Sequence, residues 1–549
     1  VAALRLGPLL RHVGNDDATV WVKTDAPCEV EVLGHRQRTF ELEGHHFALV
    51  HVTGLEPGGR TAYEVSLDGE RVWPPPGWAW PPSCIRTITD DHGLRVSFGS
   101  CRVGYPDEPP WTLTKDEDDR GREHDALRAL ALRMRDEPED RWPHLLLMLG
   151  DQVYADEIPP ATARFIRHRR DVAVPPGAQV ADFQEYCALY EESWSSEEFR
   201  WLASTVPTAM IFDDHDMHDD WNTSRDWVRE IRAKAWWDER IVSGFMSYWA
   251  FQHLGNLPPA ERDADPCYRA VLEADGDAGP IVREFAFACD RDVAGARWSY
   301  YRDLGRTRLV MMDSRAGRVL VPGSRSMVDD EEWDCIEAWS EGSFDHLLLG
   351  TSLPFALSAG LQQVEAWNEA VCDGAWGRLA SAAGEKLRQA LDLEHWAAFG
   401  DSLRRLEDLL DRVTSGRHGQ PPGSVVILSG DVHHAYLSRA RFPGAANGRS
   451  PTYQAVCSPI RNPLDRHERR AMRFAVSPWG ERLGALLTRA ARVEPHALRW
   501  EQVGGGPWFD NQIATLELEA RHARLRLEKA VGEASAPPRL ECVMDERLA

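Results

Sequence analysis

The sequence has no apolar run near the roughly 20 residues that a helix needs to span a bilayer, and so no membrane span is expected. It has no Cys-x-x-Cys pair. Its ten cysteines (Cys28, Cys84, Cys101, Cys187, Cys267, Cys289, Cys335, Cys372, Cys457 and Cys542) are scattered. That excludes a dense disulfide framework and fits a reducing compartment. Positive charge is also short: 63 Lys and Arg stand against 87 Asp and Glu, a net charge of −24. A nucleic-acid duplex needs a cationic surface to displace its counterions, so a duplex is not an expected partner. A local basic pocket for one phosphate remains compatible. No signal peptide is legible, because Leu4-Arg5-Leu6-Gly7-Pro8 reads as the start of a strand. Cytoplasmic residence is expected, with an exported form that has lost its signal as the alternative. No internal repeat and no long disordered tract is visible.

What is present is an ordinary globular composition, 43% hydrophobic and 27% charged, over 549 residues. That length exceeds one simple core, so a catalytic domain with an accessory domain is expected. The 22 tryptophans suit core corners or the walls of a site. Residues 1–90 read as all-β. Ala18-Thr19-Val20-Trp21-Val22 and Cys28-Glu29-Val30-Glu31-Val32 alternate with period two. Leu55-Glu56-Pro57-Gly58-Gly59 is turn chemistry before the strand-like Thr61-Ala62-Tyr63-Glu64-Val65. A small sandwich of the fibronectin III kind is expected, with the Pro- and Trp-rich residues 73–82 as a linker.

Residues 91–549 follow another pattern. Leu94–Phe98 runs into Gly99-Ser100-Cys101-Arg102, and His144–Leu149 into Gly150-Asp151-Gln152-Val153-Tyr154. Ala209–Phe212 runs into Asp213-Asp214-His215-Asp216, and Val425–Ser429 into Gly430-Asp431-Val432-His433-His434. Each is a short apolar run suited to a strand buried on both faces, and each ends in metal-competent residues. Leu309–Met312 and His346–Leu349 are two further strands of this kind. A helical insertion is expected near 361–413, and residues 514–520 and 523–528 alternate as a hairpin.

In open α/β sheets, ligands gather at the carboxyl ends of the strands. Sequence-distant loops can therefore converge there on one cluster. Two cations about 3.5–4 Å apart can share a carboxylate and a hydroxide. Asp151 is the natural bridge, because Gly150 lets the backbone turn sharply and the carboxylate approach.

The set FGSCR, LGDQVYAD, FDDHD and SGDVHH resembles the signature of the PhoD-like (alkaline phosphatase D) family of calcineurin-like metallophosphoesterases. The resemblance covers essentially the whole chain. It implies a two-sheet α/β/β/α sandwich preceded by the small all-β domain. It also implies a metal-dependent phosphoesterase that attacks phosphomonoesters or phosphodiesters with a metal-bridging hydroxide. By the same resemblance Cys101 and Tyr154 ligate one metal, Asp151 bridges, and Asp214 ligates the second. His215 takes the place of the catalytic His. Asp431 and His433 match the two His of the last superfamily motif. A thiolate with a phenolate suits Fe3+, and a carboxylate-rich second site suits Ca2+, Mn2+ or Mg2+; iron with calcium is what the family implies. The chain departs from the family at His218-Asp219-Asp220, where amides are usual.

The expected chemistry is direct hydrolysis of a small phosphorylated substrate. His215 protonates the leaving alkoxide or supports the transition state, and Arg102 neutralises charge on the equatorial oxygens. Asp213 is expected to cap or support, and His434 to lie outside the ligand shell. Arg315, Arg318 and Arg461 either clamp a phosphate or form salt bridges beneath the site. A diesterase or phospholipase-D-like activity alone, and a non-catalytic metal-stabilised binding protein, are the competing readings.

Overall fold

The computed structural model describes residues 2–91, 93–295, 297–417, 419–443 and 448–549. The alternating N-terminal segments form two four-stranded antiparallel sheets. One orders Leu4–Val13, Asp17–Thr24, His45–Thr53 and Phe40–Leu42; the other orders His35–Arg38, Glu29–Val32, Val65–Leu67 and Glu70–Trp73. Leu10, Val20, Val22, Val30, Val50 and Val65 fill the space between them. The strand expected over 61–65 is broken. Arg60–Ala62 pairs with Cys84–Arg86, whereas Val65–Leu67 pairs with Glu29–Val32. The Pro- and Trp-rich linker is pinned. Trp73 is fully buried with its ring 4.6 Å from that of Trp78, and Trp80 stacks on Trp201 at 5.0 Å.

The following chain builds two larger sheets. The first orders Thr208–Ile211, Leu145–Leu149, Leu94–Gly99, Gln512–Glu519, His522–Val531 and Arg539–Arg547. Its first three strands are parallel, and Gln512–Glu519 runs antiparallel to Leu94–Gly99. The second orders Tyr300–Leu304, Thr307–Met312, His346–Thr351, Ser424–Ser429, Thr452–Val456, Ala435–Arg441 and Arg499–Trp508. Alternation within the second sheet gives the layering. Leu309, Met311, Leu348, Val426 and Leu428 share one core with Phe98, Leu147 and Leu149 of the first sheet. Val310, Met312, Leu347, Leu349, Val425 and Ile427 face the other way, onto Trp333, Ile336, Leu403, Leu406 and Leu410 of flanking helices. The result is the expected α/β/β/α sandwich.

The helical insertion comprises Ala359–Cys372, Arg378–Ala390 and Gly400–Ser415. The last of these is an outer layer of the second sheet, and the first two are the true excursion. The N-terminal sandwich docks on the first sheet's side. Trp21 Nε1 donates to the Ala250 carbonyl at 2.8 Å, and Arg11 donates to the Phe251 and Gln252 carbonyls at 2.7 Å each. Those carbonyls belong to the π-helical turn Tyr248–His253, whose wider ladder leaves acceptors open.

Candidate metal centre

Four strand ends deliver the site. Gly150 has φ +108°, and a Cβ there would lie 2.7 Å from the Cβ of Asp213. Only glycine permits this turn and this approach. Beyond the strands, Cys101, Asp151, Asp431 and His433 all take left-handed backbone, with φ of 57°, 50°, 65° and 50°. L-residues rarely adopt that conformation, and such strain collects where side chains must be aimed. The turns are laced together. The Cys101 N–H donates to the Gly150 carbonyl at 3.2 Å, the Arg102 N–H to the Asp151 carbonyl at 3.1 Å, and the Asp431 N–H to Ser100 Oγ at 2.9 Å.

The turns bring one ligand atom each of Asp151, Asp213, Asp214 and Asp431 within 4.8 Å of one another, and likewise Asp151, Asp214 and His215. Cys101 Sγ and Tyr154 OH both lie 3.3 Å from Asp151 Oδ2. His433 Nδ1 lies 2.7 Å from the Asn462 carbonyl, which can only accept. Nδ1 therefore carries the proton, and Nε2 keeps its lone pair for a ligand. His434 Nδ1 is tied to the Val432 carbonyl, and its ring stacks on Tyr436 and Phe509, outside the cluster.

The electrostatics call for cations. Burial pushes the Asp151 and Asp213 carboxyls well above the usual range. Burial, then the charge of Asp151, does the same to the Cys101 thiol; Tyr154 rises for the same two reasons. Asp151 Oδ1 and Asp213 Oδ2 are buried and have no hydrogen-bond partner. Buried, orphaned acceptors of this kind are costly unless something positive meets them. Arg315 meets part of the need. It pairs with Asp213, lies 2.5 Å from Glu394, and is 3.4 and 3.6 Å from Asp214 and Asp431. One guanidinium does not balance this set of acids. Carboxylates, a thiol, a phenol and an imidazole form a donor set that fits metal ions, and the residues present fit the cofactor that the motifs imply.

His215 is held from behind. Its Nδ1 lies 2.9 and 3.1 Å from the two oxygens of Asp156, and its ring lies 4.5 Å from that of Tyr154. Burial alone would lower its pKa; Asp156 and Asp214 outweigh that and raise it well above the usual imidazole range.

Arg102 is a correction to the sequence reading. Its guanidinium turns to Asp125 at 2.8 Å and to the Ser193 carbonyl at 2.9 Å, over the Phe199 ring. The reason is geometric: the left-handed turn at Cys101 aims the thiol inward and the next side chain away. Arg318 pairs with Glu394, and Arg461 with Asp107 and the Tyr105 and Pro106 carbonyls, so both are salt-bridge residues. Sequence reasoning missed His395. Its Nε2 lies 3.0 Å from Asp431 Oδ2, and its Nδ1 lies 2.7 Å from the buried Glu365. It also missed Asp156, although that residue stands inside the LGDQVYAD motif. Asp220, at the departure from the family pattern, meets Asp392 of the insertion and is pushed up to about 9, by burial first and then by that contact.

A model of the PhoD-like phosphatase family matches residues 131–287. The chain carries a PhoD-like phosphatase domain. Residues 1–85 match a domain of unknown function, DUF7800. The whole chain is similar in fold to the solved structure of PhoD, with TM-score 0.57 and 12% identity over 100% of this chain and 92% of that one. A purple acid phosphatase from yellow lupin (Lupinus luteus) seeds aligns with TM-score 0.48 and 11% identity, over 98% of this chain and 73% of that one. No curated protein sequence matches the chain. With its PhoD-like domain the protein is a metal-dependent phosphoesterase, a hydrolase of phosphate-ester bonds.

Proposed function

We propose that Asp151, Asp214, Asp431, His433, Cys101 and Tyr154 hold two metal ions, with Asp151 between them, and that His215 serves the leaving group. The observation that carries this reading is the convergence of ligand atoms of Asp151, Asp213, Asp214 and Asp431 within 4.8 Å from three strand ends. Bound there, the ions supply a water acidified for attack at neutral pH and positive charge against the phosphoryl oxygens. The buried thiol and phenol beside Asp151 favour iron on their side, and the carboxylates favour calcium, manganese or magnesium on the other. Asp156 holds the Nδ1 proton of His215, so the Nε2 proton is the one available to a departing alkoxide. Arg315 positions Asp213 and Asp214 and offsets their charge. Arg102 braces the turn through Asp125 and the Ser193 carbonyl.

The substrate is a small phosphate ester, and hydrolysis is direct. A boundary near residue 90 separates the sandwich from the catalytic part, supported by the entry of Leu94–Gly99 into the catalytic sheet. Ten unpaired cysteines support cytoplasmic residence, which fractionation of the producing cells checks. Among the described residues no helix is long and apolar enough to cross a membrane. The test of function is elemental analysis of the purified protein beside turnover of a generic phosphomonoester and a phosphodiester. Metal bound in the wild type, with turnover lost in Asp151→Ala, supports the reading. Undiminished turnover after complete metal removal overturns it.

A further inference from the structure

Between residues 466 and 492 the sequence holds seven arginines and two glutamates, in a chain whose net charge is −24. These residues form two consecutive helices, Arg466–Ala475 and Pro478–Ala491. The second helix buries Gly480, Gly484 and Ala491. A Cβ on Gly484 would lie 2.9 Å from the Gly360 carbonyl oxygen, so the glycines seat this helix directly on Ala359–Cys372. Its outer face carries Trp479, Leu483 and Leu486 at i, i+4 and i+7, exposed by 68%, 48% and 66%. Arg482 lies over the Trp479 ring at 5.3 Å, and Arg489 and Arg492 continue the exposed basic flank. Trp376, 44% exposed, donates to the Ala490 carbonyl at 3.3 Å and lengthens the apolar row.

A single exposed leucine needs no explanation. A row of Trp and Leu flanked by arginines, on an otherwise acidic protein, does. We propose that this helix face docks on an anionic lipid surface. Trp and Leu suit the boundary between headgroups and acyl chains, and the arginines suit anionic headgroups. A second copy of the chain fits less well, because a two-fold contact would set the same arginines against themselves. The helix pair begins four residues after Asn462, whose carbonyl accepts from His433. The inference stands apart from the metal assignments.

The test is flotation of the metal-loaded protein with vesicles of phosphatidylcholine alone, and of phosphatidylcholine mixed with phosphatidylglycerol. Binding is expected to the mixed vesicles only, and to weaken with salt. Trp479→Ser, Leu483→Ser and Leu486→Ser combined should lower it roughly tenfold or more, with turnover of a soluble phosphoester unchanged as the control for folding. Arg482→Gln and Arg489→Gln, both at exposed positions, should each lower it roughly fivefold and flatten the salt dependence. Absence of binding by the wild type, or equal binding by the variants, overturns the proposal. So does light scattering that shows a dimer which the triple substitution dissociates, for the face would then belong to a second copy.

Discussion

Asp151 and His215 share one cluster but hold different partners. Asp151 touches Cys101 and Tyr154 and lies within 4.8 Å of the other carboxylates, whereas His215 is anchored to Asp156, outside the ligand set. Their removal should fail differently. Asp151→Ala takes away the shared anion, so metal content should fall along with activity. His215→Ala should keep near-native metal and lose roughly 10²–10⁴-fold in rate, less for substrates with good leaving groups. Loss of metal in His215→Ala, or an equal rate loss for poor and good leaving groups, removes the acid assignment. Tyr154 gives a second test at this scale. An iron phenolate absorbs visible light, so the purified protein should be coloured and Tyr154→Phe should lose the band. A colourless, fully active, zinc-only protein rules this out.

At the scale of elements, the four strand ends were legible because each joins a continuous apolar run to a ligand-bearing turn, and both signals are local. The insertion was legible as helices and not as a site. His395 reaches Asp431 only because Glu365, on the helix Ala359–Cys372, holds its ring. That contact depends on how one helix packs against the bend that carries His395, which no short pattern encodes. Arg102 misled for a related reason: a sequence places it beside Cys101, but the left-handed turn decides which of the two faces inward. If the insertion steadies Asp431, Glu365→Gln should lower metal affinity or activity by about 10–100-fold while the fold survives. Unchanged metal retention and rate would separate the insertion from the centre. A second device lies at the start of the helix Asp330–Ser340. Glu332 is pushed up to about 8 by burial, then by Asp313. The folded state thus keeps a proton that the unfolded chain releases near 4.5. Stability from this group is full below that pH and is lost as pH rises toward 8. Glu332→Gln should gain on the wild type by a few degrees of melting temperature between pH 5 and 8. A constant difference across that window refutes the assignment.

At the scale of the whole molecule, the N-terminal sandwich and the catalytic sheets share buried polar contacts as well as apolar area. Leu6, Leu9, Trp21, Phe40 and Phe47 belong to the same core as the first catalytic sheet. Arg11 is fully buried and donates to the Phe251 and Gln252 carbonyls and to Asn256 Oδ1. Burial, then the neighbouring Arg302, lowers its pKa to about 9, so its charge is held at a cost that these acceptors and the Thr208 carbonyl offset. The period-two pattern showed that residues 1–90 are strands. It could not show that one face of them is a docking surface, because an inward apolar residue looks the same whichever core receives it. Arg11→Met keeps much of the side-chain volume but takes the side-chain donor from the buried Phe251 and Gln252 carbonyls. The expected cost is roughly 3–5 kcal/mol. Because those carbonyls lie in the π-helical turn of the catalytic part, that cost should fall on both parts together. Calorimetry of the wild type should give one transition, and Arg11→Met should move the whole of it downward. If the sandwich instead melts separately, and Arg11→Met leaves the catalytic transition where it was, the two parts are not coupled through this arginine.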